Sequence, residues 1–261
     1  MKHAVISLSG GMDSTSLLIR LIRDGYQVSC YTYDYGQRHS IEIERAKNNI
    51  EYLKSCDINV NHNIIDIKSA IQSFDSALLD KTLTIPEGHY ESSQMKSTVV
   101  PNRNAIFSSI LYGHALSVSS KFDCDVIIGL GVHSGDHEIY PDCRPEFYSA
   151  LDIAFKLGNW GSERISFHLP YLTGDKKTIL LDALHSCQEL DLDFDIIFKN
   201  TSTSYNPDLQ GRSSGKSGAD IERILAFYEI GREDPVEYTK DWKDILNNAL
   251  MIKKEHDEFN E

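Results

Sequence analysis

The chain has 261 residues, with 26 Lys and Arg against 39 Asp and Glu, for a formal charge of −13. That length permits one large domain or two small ones, and 41% hydrophobic with 25% charged residues suits a globular chain able to bury a core. No apolar run approaches the roughly 18 residues of a membrane span, and the acidic balance excludes a broad nucleic-acid surface, which needs basic patches to attract phosphate. Small molecules or basic protein surfaces are the expected partners. The N-terminus makes a poor secretory signal. Five cysteines (Cys30, Cys56, Cys124, Cys143 and Cys187) are odd in number and form no C-x-x-C pair, so free thiols and a cytoplasmic location are expected.

In chain order, β-branched content and flanking turn residues predict strands at 3–8, 27–33, 60–65, 125–131 and 165–169. Apolar positions at helical spacing predict helices over 14–24, 40–54, 104–120, 146–158 and 176–187. This alternation implies an α/β fold with a parallel sheet covered on both faces. Residues 85–98 are polar and read as a loop. Residues 200–218, rich in Ser, Gly, Asn and Thr, precede a last amphipathic helix near 219–229, and the polar tail 253–261 is expected to fray.

Between the first strand and first helix lies Ser9-Gly10-Gly11-Met12-Asp13-Ser14. Glycines let a backbone approach a ligand closely, and the free N–H groups of a helix N-terminus attract phosphate. Asp13 can hold a magnesium ion on such phosphates, and Ser9 and Ser14 offer hydroxyls. Neither the Gly-Lys-Ser/Thr of a P-loop NTPase nor the dinucleotide G-x-G-x-x-G is present. The arrangement resembles the pyrophosphate motif of the N-type ATP pyrophosphatases.

Three further motifs occur in order: Tyr35-Gly36-Gln37-Arg38-His39, Val100-Pro101-Asn102-Arg103-Asn104 and Tyr140-Pro141-Asp142-Cys143-Arg144-Pro145-Glu146-Phe147. Together with the first they resemble the 7-cyano-7-deazaguanine synthase (QueC) family, from about residue 2 to 238. The resemblance implies a Rossmann-like PP-loop fold, with a five-stranded core over 1–199 and a small C-terminal helical lobe over 200–261. It implies a substrate, 7-carboxy-7-deazaguanine, and ATP with Mg held by Ser9, Gly10, Gly11, Asp13 and Ser14. Arg103 and Asn104 would lie near the nucleotide and Lys176 near the reacting phosphate. Tyr35, Gln37, Arg38, Asp142, Arg144 and Glu146 would form the deazaguanine pocket. These residue types suit the ligand: a guanine-like edge offers donors to a carboxylate such as Asp142 or Glu146, and a substrate carboxylate suits the fork of Arg38 or Arg144.

One region departs from the family. Four cysteines spaced C-x9-C-x2-C-x2-C bind zinc there, whereas Ser204, Ser214, Ser217 and Asp220 stand at those positions here. Hydroxyls are poor zinc ligands, so no zinc is expected, and the lobe must be held by packing of Ile221, Leu225, Phe227 and Tyr228 or by a homodimer contact. The resemblance implies adenylation of the substrate carboxylate followed by amine attack. With ammonia the product is the nitrile, preQ0. With a protein amine, as in relatives from CBASS anti-phage systems, it is a substituted amide. A non-catalytic ATP or deazaguanine-binding module is the remaining alternative.

Overall fold

A computed structural model describes residues 1–37, 41–76, 78–79, 98–136, 140–204, 207–208 and 210–260. Strands β1 (Lys2–Ser7), β2 (Tyr26–Asp34), β3 (Asn61–Asp66), β4 (Val126–Gly129) and β5 (Ile165–His168) run parallel in one sheet of order β3-β2-β1-β4-β5. The five expected strands are these, with ends shifted by one or two residues. β1 is central, with Ala4 opposite Val28 on one side and Ile127 on the other. Successive side chains of a strand point to opposite faces, and β1 is apolar on both. Ala4, Ile6 and Leu8 enter one core and Val5 the other. The edge strand β3 begins Asn61-His62-Asn63, a polar run that blunts an exposed row of backbone groups.

Helices α1 (Met12–Arg23), α2 (Ile41–Ser55), α6 (Lys176–Glu189) and α7 (Phe194–Lys199) supply buried residues to the first core. α4 (Arg103–Phe122) and α5 (Pro145–Gly158) supply the second. A one-turn helix α3 (Lys68–Ile71) follows β3. None of the described helices is long and apolar enough to cross a membrane. α1 and α6 are fastened by Asp182, which accepts from Arg23 at 2.9 Å, Arg20 at 3.1 Å and the Tyr171 hydroxyl at 2.7 Å. Burial works against charge on Asp182, but Tyr171 and the two guanidinium groups hold its carboxyl below the usual carboxylate range.

The C-terminal lobe corrects two expectations. α8 (Gly218–Glu229) is not the last helix, and the tail does not fray: α9 (Trp242–Asn260) runs through it. The charged surface of 253–260 hides a helical stripe further back. Ile245 and Ala249, four residues apart, are buried against Ile221 and Ile224 of α8, with Trp242, Leu246 and Ile252 beside them. Lys253 reaches Glu229 of α8 at 3.2 Å. α7 also went unforeseen, being too short to show a period. Of the four lobe residues named for packing, Ile221 and Phe227 are buried, Leu225 is half-buried and Tyr228 is half exposed.

Ile245→Ala should lower the unfolding free energy by about 2–5 kcal/mol, while Ile196→Ala, at a 43% exposed position, should change it by under about 0.5 kcal/mol. Urea titration of both variants checks the docking of α9; equal small shifts would contradict it.

Candidate active site

In an open parallel sheet, ligands bind beyond the carboxyl ends of the strands where the strand order reverses. Here that point lies between β1 and β4, and a cavity of about 240 Å³ opens there. One end is the loop after β1. Gly10 takes a left-handed backbone (φ 84°), and a Cβ there would lie 2.0 Å from the carbonyl oxygen of Glu42, so glycine is required twice over. Ser14 Oγ accepts from the Ser9 amide at 3.1 Å, Ser9 Oγ accepts from the Gly11 amide at 3.2 Å, and the two hydroxyls share a hydrogen bond at 2.9 Å. These bonds shape the loop, while α1 starts at Met12 with Gly11 as its N-cap and no side-chain cap on its first amides, and Gly11, Asp13 and Ser14 line the cavity. Gly131 comes so near from the β4 side that a Cβ would meet the Asp13 carbonyl carbon at 2.9 Å.

Asp13 and Lys176 stand at this end. Lys176, in the first turn of α6 and buried, donates to Asp13 Oδ2 at 2.6 Å. Asp13 Oδ1 is buried and accepts no hydrogen bond among the described residues. That open anionic oxygen beside uncapped amides fits a divalent cation carried on phosphates. Glu222 of α8 approaches Lys176 at 3.8 Å.

The other end is aromatic. Tyr33 and Phe107 stack at 4.0 Å between centroids, Tyr35 lies 5.7 Å from Phe107, and Tyr140 and Tyr148 complete the wall. Arg103 donates to the Tyr35 hydroxyl at 3.3 Å and lies over its ring. Gln37 folds back on its own turn, accepting from the Tyr35 amide and donating to the Tyr33 carbonyl. Asn104 ties two motifs together: its amide donates to Asp142 Oδ2 at 3.3 Å and its side chain to the Asp142 carbonyl and Cys143 Sγ.

Of the residues singled out in the sequence, Ser9, Gly11, Asp13, Ser14, Tyr35, Gln37, Arg103, Asn104 and Lys176 line this cavity. Gly10 backs the loop against α2. Asp142 sits behind Asn104 and Cys143, and Arg144 and Glu146 stand exposed at the start of α5, outside the cavity wall. Arg38, His39 and all but the last residue of 85–98 lie outside the described residues. Sequence reasoning missed Glu42, Glu222, Ser202 and Thr203, which also line the cavity, and considered Ser204, which lines it too, only as a zinc-ligand position. Glu42 is an ordinary helix-start acid in sequence, yet burial pushes its carboxyl up to about 7 against the pull of Arg103.

Residues 3–231 match the family model described as "Queuosine biosynthesis protein QueC". The chain belongs to the QueC family. It is 39% identical over 240 residues to 7-cyano-7-deazaguanine synthase 2 of Colwellia psychrerythraea, covering 92% of this chain and 100% of that one. It is 41% identical over 237 residues to synthase 1 of the same organism, covering 91% and 99%. With 7-cyano-7-deazaguanine synthase of Methanoregula boonei it shares 39% over 236 residues, 90% and 98% of the two chains. Among solved structures, NMN synthetase from Francisella tularensis matches over 94% of this chain and 82% of that one at 15% identity, with a TM-score of 0.42. The QueC family is one of enzymes, and α9 begins beyond the last matched residue.

In this QueC chain three of the four positions that the resemblance assigns to zinc ligands, Ser204, Ser217 and Asp220, form a polar cap with Ser213. Ser217 caps α8 by accepting from the Asp220 amide, and Asp220 Oδ2 accepts from the Ser217 amide and the Ser204 hydroxyl. Burial holds the Asp220 carboxyl above its ordinary range, against hydrogen bonds from Ser213, Ser217 and Ser204. Hydroxyls and a carboxyl biased toward its neutral form do not fit a zinc ion. What pins the segment instead is Arg223 of α8. Fully buried, it makes a two-pronged pair with Asp234 at 2.6 and 2.9 Å and donates to Thr201 Oγ1 at 2.7 Å and the Phe198 carbonyl at 3.2 Å. Just beyond Thr201, the Ser202 amide donates to the Gly10 carbonyl at 2.9 Å.

Two outcomes are expected. Arg223→Met leaves Asp234 charged and buried, so stability should drop by about 3–5 kcal/mol, and Arg223→Met/Asp234→Asn should recover much of it; chemical denaturation of both variants checks this. For Glu42 the folded chain holds a proton that the unfolded chain releases above its ordinary value of 4.5. The stability of wild type relative to Glu42→Gln should therefore fall as pH rises from about 4.5 to about 7. A flat or rising difference in denaturation midpoints over that window would contradict the burial of this carboxyl.

Proposed function

We propose that this chain is a QueC-like 7-cyano-7-deazaguanine synthase that activates the carboxylate of 7-carboxy-7-deazaguanine with ATP and transfers the acyl group to ammonia. The observation that carries the reading is one cavity with two chemically distinct ends. Uncapped amides with Asp13 and Lys176 occupy one, and a slot of stacked aromatic rings with Arg103 and Asn104 the other. The first suits a triphosphate, the second a planar purine-like ring, for which stacking on aromatic side chains is worth about 1–3 kcal/mol per base. The family relatives at about 40% identity, named for that product, support the same substrate class.

In this reading a carboxylate oxygen of the deazaguanine attacks the α-phosphorus of ATP, and pyrophosphate leaves. The amides opening α1 hold the phosphates, and Lys176 neutralises charge that grows on the α-phosphoryl oxygens. Asp13 would hold Mg, which screens phosphate charge when bound. Tyr35 and Phe107 orient the ring, and Glu42 is the cavity carboxylate able to accept from a guanine-like edge. Ammonia then attacks the acyl carbon, the C–O bond to AMP breaks, and the amide forms. The amide oxygen then attacks the α-phosphorus of a second ATP and releases pyrophosphate; the C–O bond breaks, AMP leaves with that electron pair, the nitrogen gives up its two protons, and the nitrile forms.

The test is mass spectrometry of a reaction containing the protein, ATP, magnesium, 7-carboxy-7-deazaguanine and ammonium. The nitrile is the expected product; adenylate or amide that never proceeds to nitrile would overturn the synthase reading. Asp13→Ala should lower kcat by about 10²–10³-fold with an unchanged circular dichroism spectrum.

A further inference from the structure

A second cavity, of about 310 Å³, lies behind the first, between the start of α6, the exposed side of α8 and the last turns of α9. The two share Lys176 and Glu222 as lining residues, so this pair stands as a partition between them. We propose that the acceptor amine reaches the acyl-adenylate through this second cavity as a primary ammonium ion, and that Glu222 takes up its first proton. The inference rests on the adenylation reading above and adds the route and class of the nucleophile.

The geometry argues for a separate route. Once ATP and the deazaguanine occupy the phosphate and aromatic ends, the first cavity has both its ends filled. The reacting carboxyl then lies at the Asp13–Lys176 end, where the partition gives access from the opposite side. The second cavity is far larger than one ammonia needs, since a water-sized ligand takes about 10–15 Å³, so it also admits an alkylammonium.

The charges suit a cation. Lys176 is paired with Asp13 at 2.6 Å and Lys253 with Glu229 at 3.2 Å, while Asp257 and Asp175 add negative charge along the walls and Lys177 and His256 complete them. His133 Nδ1 faces Glu222 at 3.8 Å and accepts from the Gly135 amide at 3.1 Å. Gly135 packs closely against the same group: a Cβ there would fall 2.6 Å from Glu222 Oε1. The wall made by Lys253, His256 and Asp257 belongs to α9, which the family match does not reach.

The transfer step balances. The ammonium nitrogen gives one proton to the Glu222 carboxylate, freeing its lone pair. The C–N bond forms as the C–O bond to AMP breaks, AMP leaves with that electron pair, and a second nitrogen proton passes to the departing phosphate. The amide results, and Glu222 returns its proton to solvent.

The experiment separates adenylation from transfer. ATP–pyrophosphate exchange with 7-carboxy-7-deazaguanine and no amine reads the first, and amide formation against ammonium chloride or n-butylamine reads the second. Leu225→Trp narrows the second cavity without touching the first, and should raise the amine KM at least tenfold with exchange unchanged. Asp257→Lys, at an exposed position where folding is not at risk, should raise the ammonium KM several-fold, more at low salt. Glu222→Gln should cut amide formation at least tenfold near neutral pH and shift its pH profile. A Leu225→Trp effect on butylamine and ammonium together assigns both to this route, and an effect on butylamine without ammonium assigns it to an alkylammonium. Unchanged amine KM values in Leu225→Trp and Asp257→Lys would overturn the route. Absence of exchange in the wild type would instead overturn the adenylation reading, and the route with it.

Discussion

The backbone hydrogen bond from the Ser202 amide to the Gly10 carbonyl is the constraint on which the rest of the site turns. It joins a segment more than 190 residues downstream to the glycine loop that opens α1. Gly10 has its Cα face against Glu42 and its carbonyl taken by Ser202, so the loop is held from both sides. A glycine-rich loop is otherwise costly to order, because glycine loses the most conformational freedom on folding. Fixing the loop before a ligand arrives spares binding that entropy, which is the general advantage of preorganisation. The fixing depends in turn on Arg223, whose contacts with Thr201 and the Phe198 carbonyl leave the chain at Ser202 little freedom.

The same logic governs the charged groups. Asp13 and Lys176 come from α1 and α6, whose relative position is set a few turns away by Asp182 with Arg20, Arg23 and Tyr171. A buried lysine is expensive unless paired, and the pairing here holds only if the helices keep their register. Two ion-pair systems on one helix pair thus have different consequences. The outer one orients the helices, and the inner one leaves Asp13 Oδ1 buried without a hydrogen-bond partner among the described residues.

How much of this could be read in the residues beforehand depends on distance along the chain. The five strands and the glycine loop were legible because β-branched runs bounded by turn residues and S-G-G-x-D-S are local signals. Lys176 was legible by resemblance, and Tyr35, Arg103 and Asn104 by short motifs that the fold does bring to one cavity. Glu42 and Glu222 were not: each is an acid on an amphipathic helix, and nothing local distinguishes a cavity carboxylate from a solvated one. Arg223 and Asp234 were hidden for the same reason, their value arising from a complete loss of water that no pattern records. α9 was passed over because its charged end dominates the composition, although Trp242, Ile245, Ala249 and Ile252 carry a helical stripe. Ser217 and Asp220 did carry a readable signal, the S-x-x-D of a capping box, but were weighed as lost metal ligands and not as a cap.

That cap bears on how the C-terminal segment is held. A thiolate zinc site contributes folding free energy directly, but requires deprotonated cysteines and a supply of metal. A capping box, a buried guanidinium pair and a helix packed across α8 require neither. The buried pair has its own cost, because it gains little over well-packed apolar residues and is strongly destabilising if one partner is lost. The apolar contacts of α9 with Ile221 and Ile224 offset that cost, since they depend on no charge at all. α9 therefore has a double consequence. It packs on α8, whose Arg223 pins the segment bonded to the glycine loop, and its last turns form a wall beside Lys176 and Glu222. Support for α8 and one wall of the second cavity arise from the same nineteen residues, so change in one is coupled to change in the other.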